Sequence, residues 1–388
     1  MLRFIHTADW HLGRLFHGVS LTDDQAYVLD QLVRLVVDVK PDALLIAGDI
    51  YDRAVPAPLA VKLLNEVLSS ITADLNVPVV MISGNHDSPE RLGFGSRLLS
   101  RQGLFIFGRL SRDLRPVLIM GKGWGLAARI YALPYDDAAA FMDAPDDGSA
   151  PAENSGASLG AVIRNLLDDH PPDECAVCVS HAFIAGATAG ESERPLSVGG
   201  AAAVDAALFK DFDYAAMGHL HRPQSAGGET IQYAGSLLKY AFSEADQVKS
   251  VNLVEMDRQG LARCERIPLA PRRDVRIREG TLADILKGPA SGENREDYLM
   301  VRLLDKGAIL DAMGKIREVY PNCLHIERPS LLFKDAGMTA RTDHTKTTGM
   351  DLFKAFFVQT TGEELSEGQA RAFASVADEL DRSEREAP

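Results

Sequence analysis

Five apolar stretches within the first 221 residues each run out into side chains for which a packed interior has no use. Leu2–Ile5 leads to Asp9-x-His11, Ala43–Ala47 to Gly48-Asp49-x-x-Asp52, and Val77–Ser83 to Gly84-Asn85-His86-Asp87. Ala176–Ser180 ends at His181, and Tyr214–Met217 at His219-x-His221. Carboxylates, an amide and imidazoles left unpaired in a core cost several kcal/mol together. Gathered at one edge of a sheet, they make one metal centre.

Alternate residues of an extended chain point the same way, so Asp9 and His11 can reach one ion, as can His219 and His221. Gly48, Gly84 and Gly218 stand beside these residues, where backbone must turn sharply or approach closely. Oxygen and imidazole ligands without thiolate suit manganese, with magnesium or another divalent ion as the alternative. Seven ligands exceed the needs of one ion, which points to two ions sharing a bridging carboxylate. Such a pair stabilises both the attacking and the leaving oxygen of an in-line displacement at phosphorus. Singly, each cluster has a plainer reading: Asp9 as a turn residue, Asp49-x-x-Asp52 as a helix cap, a lone histidine as structural. His6, His17, His170, His325 and His344 are read in that plainer way. The metal reading rests on five clusters recurring in order, each after an apolar strand.

The first third of the chain alternates strand and helix. Ala26, Leu29, Leu32, Val33 and Val36 recur at helical spacing, Ala43–Ala47 is a strand, and Leu59–Ile71 is helical again. This β-α-β-α-β order predicts an α/β fold with a parallel sheet, whose ligand sites lie at the carboxyl ends of strands. Ser88 and Pro89 open a further helix. Residues 143–158 are polar and rich in Pro and Gly, and are expected to form a loop. Another Gly-rich loop spans 185–200, and 201–209 is expected to be helical. After residue 270 the pattern becomes a small α+β module, followed by two amphipathic helices around 350–357 and 366–380. Ser366 and Gln369 form a capping box for the second, and Phe353, Phe356 and Phe357 suggest a partner groove as much as self-packing.

The 388 residues carry a net charge of −14, which does not advertise a nucleic-acid surface, but residues 91–129 are basic. Arg91, Arg97 and Arg101 in that run are the candidate DNA contacts. Cys175-x-x-Cys178 begins a strand without a second pair and is read as structural. Four scattered cysteines, no signal peptide at the start of the sequence and no long apolar run predict a cytoplasmic protein with no membrane association.

As a set, the five clusters resemble the signature of the calcineurin-like metallophosphoesterases, over roughly residues 1–270. His6 to Gly13, Phe212 to Gln224 and Tyr233-Ala234-Gly235-Ser236 are similar to the SbcD family of bacterial nuclease subunits. The resemblance implies a β-sandwich flanked by helices over 1–270, an α+β DNA-capping domain over 271–335 and a helical ATPase-binding segment over 345–388. It assigns Asp9, His11, Asp49 and His221 to one ion, and Asp49, Asn85, His181 and His219 to the other. His86 faces the scissile phosphate in that family, with Asp87 orienting its ring. Asp52 takes the position that helps place the phosphate, which is histidine in archaeal relatives. The implied activity is that of a manganese-dependent DNA nuclease, exonuclease on double-stranded ends and endonuclease on single strands or hairpins. It acts as a homodimer in a two-to-two complex with an SbcC-type ATPase. Two other readings are a small-molecule or cyclic-nucleotide phosphodiesterase and a scaffold that has lost catalysis.

Overall fold

The structure, a computed structural model, describes residues 1–110, 114–121, 125, 127–135, 155–193, 203–305, 307, 309–329, 349–361 and 364–386. The chain forms two compact units, residues 1–272 and 273–388.

In the first unit two six-stranded sheets lie face to face. One has the order Gly260–Pro268, Ser250–Asp257, Leu2–Thr7, Ala43–Ala47, Val79–Ile82, Leu104–Phe107, and its last four strands are mutually parallel. The other runs Gln224–Ser225, Ile231–Tyr233, Tyr214–Gly218, Cys175–His181, Ala127–Leu133, Val117–Met120, with four parallel strands between antiparallel edges. Phe4, Leu45, Val80, Ile130, Val177 and Tyr214 belong to the core between the sheets. The central strands Ala43–Ala47, Val79–Ile82, Cys175–His181 and Tyr214–Gly218 are buried along their whole length because both of their faces are covered. Helices Thr22–Val39 and Pro58–Ser69 bury Leu29, Leu32, Leu63 and Leu64, while Ile163 of helix Ser155–Asp168 packs with Cys178, Phe209 and Phe212. Each large aliphatic side chain so removed from water contributes about 1.5–3 kcal/mol. Cys175 joins the core between the sheets and Cys178 the core on the far side. Three residues apart on one strand, they point to opposite faces and cannot chelate one ion.

Parallel strands end at one edge. In the first sheet the turns after Thr7, Ala47 and Ile82 therefore emerge together, and in the second those after His181 and Gly218. Four of the five polar clusters lie on these turns, and the fifth, His181, closes its strand at the same edge.

Some local expectations change. Of the helix expected over 201–209, residues 201 and 202 lie outside the described residues; Ala203–Val204 is instead a strand paired with Phe183–Ile184, and Ala206–Phe209 is a single 3-10 turn. The Asp205 carboxylate accepts the Ala207 amide, which starts the turn there and leaves Ala203 and Val204 extended. Helix Ser155–Asp168 takes up the last four residues of the loop expected over 143–158, and 143–154 lie outside the described residues. Strand Val275–Gly280 opens the small α+β module. Its arginines are half-buried and bound to Glu293 and Asp297, so the run Val-Arg-Ile-Arg hides its inward polar face in ion pairs.

The second unit builds a parallel sheet from Val275–Gly280, Tyr298–Leu303 and Cys323–Glu327, with Ile285 and Ile316 of its helices packed on Leu299 and Val301. Helices Gly349–Thr361 and Glu367–Glu386 follow; Phe353 stacks on Phe373 with ring centres 3.9 Å apart. The capping box is present, the Ser366 amide donating to Gln369 Oε1 at 3.0 Å and the Gln369 amide to Ser366 Oγ at 3.4 Å. Among the described residues no helix is long and apolar enough to cross a membrane.

A polar link crosses the sandwich. His6 Nδ1 lies 2.9 Å from the Tyr214 hydroxyl, and Asn252 Nδ2 donates to that hydroxyl at 3.3 Å. Burial lowers the His6 pKa from 6.5 to about 3. Between those values the unfolded chain binds a proton that the folded chain refuses, so stability falls as pH falls through that window. We expect His6→Gln to lower the slope of unfolding free energy against pH by about 1.4 kcal/mol per unit there, measured by urea titration of metal-free protein.

Candidate metal centre

Four of the residues in the turns at the carboxyl edge have left-handed backbone: Asp9 (φ 52°), His11 (45°), Asp49 (48°) and His219 (100°). Each such non-glycine conformation costs about 1–3 kcal/mol, so the surroundings must impose it. Turn-to-turn hydrogen bonds do so. The Asp9 amide donates to Gly48 O at 3.1 Å and the His11 amide to Asp49 O at 2.9 Å. The His86 amide donates to Asp49 Oδ1 and the His219 amide to Asp9 Oδ1, each at 2.9 Å. Buried Gln25, on the first helix, reaches back to His11 O at 2.7 Å and accepts the Gly13 amide at 3.0 Å. Close approach explains Gly218, where a Cβ would stand 1.8 Å from Ala47 O.

The side chains converge. Asp49 Oδ2 lies 3.6 Å from His11 Nε2 and 3.6 Å from His181 Nε2, placing this carboxylate between two groups. On one side His11 Nε2 and His221 Nε2 are 3.1 Å apart. On the other, Asn85 Oδ1 is 2.9 Å from His181 Nε2 and 3.3 Å from His219 Nδ1. Asp9 stands by both, its carboxylate within 4.8 Å of ligand atoms of His11 and His221 and, in a second set, of Asp49 and His181. All seven expected ligand residues are thus in one cluster, and all but half-buried Asn85 are buried.

This donor set fits divalent cations. Asp9 Oδ2 and His11 Nδ1 are buried without a hydrogen-bond partner, and paired imidazole nitrogens 3.1 Å apart call for a cation or proton between them. Burial, then the neighbouring Asp49 charge, push the Asp9 carboxyl well above its ordinary range. Burial, then the His221 and His181 rings respectively, hold His11 well below and His219 down to about 2. Neutral imidazoles and crowded carboxylates are the state that divalent ions bind and stabilise. The cluster is a candidate divalent-metal site.

Two rings have defined tautomers because a carbonyl oxygen only accepts. His181 Nδ1 donates to Ala47 O at 2.9 Å, which leaves Nε2 facing Asp49 and Asn85. His86 Nδ1 donates to Asp52 O at 2.9 Å, which leaves Nε2 facing Asp49 Oδ2 at 4.0 Å.

Asp87 does something other than orient that ring. Its carboxylate accepts the amides of Ile50 (3.0 Å), Tyr51 (2.9 Å) and Gly84 (2.9 Å), clamping the turn of Asp49 to the turn of Asn85. Burial, then the Asp49 charge, push its pKa up to about 7 against the pull of those amides. The Asp52 carboxylate takes Arg14 Nη1 at 2.8 Å and faces His11 Nδ1 at 3.7 Å. Arg91, Arg97 and Arg101 are exposed on the short helical turns after Asp87, outside the cluster. Elsewhere in the basic run Arg109 pairs with Glu90 and Arg129 with Glu174, while Arg112 and Lys122 lie outside the described residues.

No motif or spacing points to the residues behind the histidines. Ser192 Oγ is 2.6 Å from His221 Nδ1, Glu193 Oε1 accepts the His221 amide at 2.9 Å, and Lys249 Nζ donates to His221 O at 2.8 Å. Lys249 also pairs with buried Glu244 at 2.6 Å. Burial alone would raise the Glu244 pKa, but the His221 ring and Lys249 hold it well below its ordinary range. They come from irregular segments whose composition resembles any polar loop.

The sequence profile of the calcineurin-like phosphoesterase family matches residues 2–223. A second, SbcD_C, described as the type 5 capsule protein repressor C-terminal domain, matches residues 271–361. The SbcD component of the SbcCD nuclease of Staphylococcus saprophyticus is 32% identical over 375 residues, covering 97% of both chains. Among solved structures, TT1561 of Thermus thermophilus is 13% identical, with a TM-score of 0.41 over 69% of this chain and 99% of its own. The calcineurin-like phosphoesterase YfkN of Bacillus subtilis is 11% identical, with a TM-score of 0.38 over 69% of this chain and 90% of its own.

Proposed function

The chain belongs to the calcineurin-like phosphoesterases and, among them, to the SbcD nuclease subunits, and from that premise we propose a manganese-dependent DNA nuclease working with an SbcC-type ATPase. It is a metal-dependent hydrolase of phosphoester bonds. The observation that carries the reading is Asp49 Oδ2 at equal distance from His11 and His181, the place of a carboxylate shared by two ions. Asp9, His11, Asp49 and His221 would hold the first, and Asp49, Asn85, His181 and His219 the second. When bound, the ions supply Lewis acidity that activates the attacking water and offsets charge on the phosphate oxygens.

The chain's own residues complete the reaction. With its Nδ1 proton committed to Asp52 O, His86 offers Nε2 to the leaving sugar oxygen as acid or charge stabiliser. Asp87 ties the turn that carries His86 to the turn of Asp49. With its carboxylate on Arg14, Asp52 serves by holding Arg14 and, through its carbonyl, the His86 ring, instead of touching the phosphate itself. Arg91, Arg97 and Arg101, exposed after Asp87, would meet DNA phosphates. Residues 271–335 act as a DNA-capping domain and 345–388 as the ATPase-binding segment, where Leu352 and Val376 are exposed. Phe94 and Leu98, 85% and 74% exposed after Ser88, support a homodimer face in a two-to-two complex. Four free cysteines accord with a reducing cytoplasm.

The test is cleavage of a DNA hairpin and of a chromogenic phosphodiester with manganese. Hairpin nicking and digestion of double-stranded ends, both lost on chelation, are expected. Turnover of the chromogenic ester alone would favour a small-molecule phosphodiesterase, and turnover of neither a scaffold. Deletion of residues 345–388 should spare manganese-dependent cutting of short DNA and abolish capture by the ATPase in a pull-down.

A further inference from the structure

The first-ion ligand His221 is gripped on every polar atom that does not face the cluster. Its Nε2 points at His11 Nε2, 3.1 Å away, so Nδ1 is the end left over. Ser192 Oγ stands 2.6 Å from that Nδ1 and Glu244 Oε1 3.3 Å from it. The Ser192 hydroxyl hydrogen goes to Glu244 Oε1, so Ser192 turns a lone pair towards the ring. The Glu244 carboxylate only accepts. Both neighbours therefore require the hydrogen on Nδ1 and leave the Nε2 lone pair aimed at the cluster. Lys249 closes the arrangement, holding Glu244 Oε2 at 2.6 Å and His221 O at 2.8 Å.

From this geometry we propose that Ser192 and Glu244 are positioning residues that fix the tautomer and tilt of His221, and thereby set the affinity for one divalent ion of the pair. The inference rests on the two-ion reading above. A carboxylate behind a ligating imidazole raises its basicity and holds its plane. Here the carboxylate reaches the ring both directly and through a serine hydroxyl. The plainer account is a buried ion pair, Glu244–Lys249, that merely closes the core around 240–250. The two accounts differ in what Ser192 does, because this half-buried loop residue adds little to a core.

The experiment titrates the full-length, metal-free protein with Mn²⁺, following occupancy by electron paramagnetic resonance and calorimetry beside thermal unfolding. Ser192→Ala is expected to weaken one site by about 10- to 100-fold, to leave the other unchanged, and to keep the unfolding temperature of the metal-free protein. Because Glu244→Gln alone strands a buried lysine, the companion variant is E244Q/K249M, which removes both charges together. The same site should weaken in it. DNA cutting by Ser192→Ala should return at saturating manganese. Wild-type protein that binds two ions while both variants match its affinities would overturn this inference alone. Wild-type protein that fails to bind two ions would overturn the two-ion reading, and this inference with it.

Discussion

His86→Ala is expected to slow phosphodiester cleavage by about 10²- to 10⁴-fold while both ions remain bound. The ring is buried beside the ligands, but its nitrogens are otherwise disposed. Nδ1 is tied to Asp52 O at 2.9 Å, and Nε2 stands 4.0 Å from the nearer Asp49 oxygen. Removing it takes away no proposed ligand. What remains is a metal site whose leaving sugar oxygen must depart without a proton or a cation beside it. Single-turnover cutting of a defined DNA end, paired with manganese titration, separates the two effects. Cutting at the parent rate would remove His86 from the reaction; loss of manganese binding would make it part of the ligand frame.

Asp87→Ala should act in the opposite way, on stability first. Three backbone amides, of Ile50, Tyr51 and Gly84, end on this one carboxylate. Each buried amide left without an acceptor costs about 1–3 kcal/mol. The sum, about 3–9 kcal/mol, is a large part of the roughly 5–15 kcal/mol by which a typical domain is stable. The turns bearing Asp49 and Asn85 would part, and manganese affinity should fall with them. Urea unfolding of metal-free protein measures the first effect and manganese titration the second. If Asp87 worked by steering the His86 ring, stability would stay unchanged and only the cleavage rate would drop.

These two residues also show how far a sequence can be read. That Asp9, His11, Asp49, Asn85, His181, His219 and His221 meet follows from apolar strands of one direction ending at one edge, because strand direction decides where loops emerge. Adjacent in the chain, His86 and Asp87 tempt one to pair them. In the fold the carboxylate turns to backbone amides, and a carbonyl 34 residues away holds the ring. Nothing in spacing records such a choice. Gln25, Ser192, Glu244 and Lys249 escape notice for a related reason: side chains that brace a site from behind come from helix or loop positions without periodicity of their own. The helix expected over 201–209 fails because a capping aspartate starts its turn late. The strand at 275–280 hides because its inward arginines look like a solvated face until their acids are found.

The left-handed backbone at Asp9, His11, Asp49 and His219 bears on how such a centre is loaded. In small metal-folded domains the cation organises the loops, and chelation dissolves them. Here amide cross-links between neighbouring turns brace the same angles, so these loops do not rely on a cation alone for their shape.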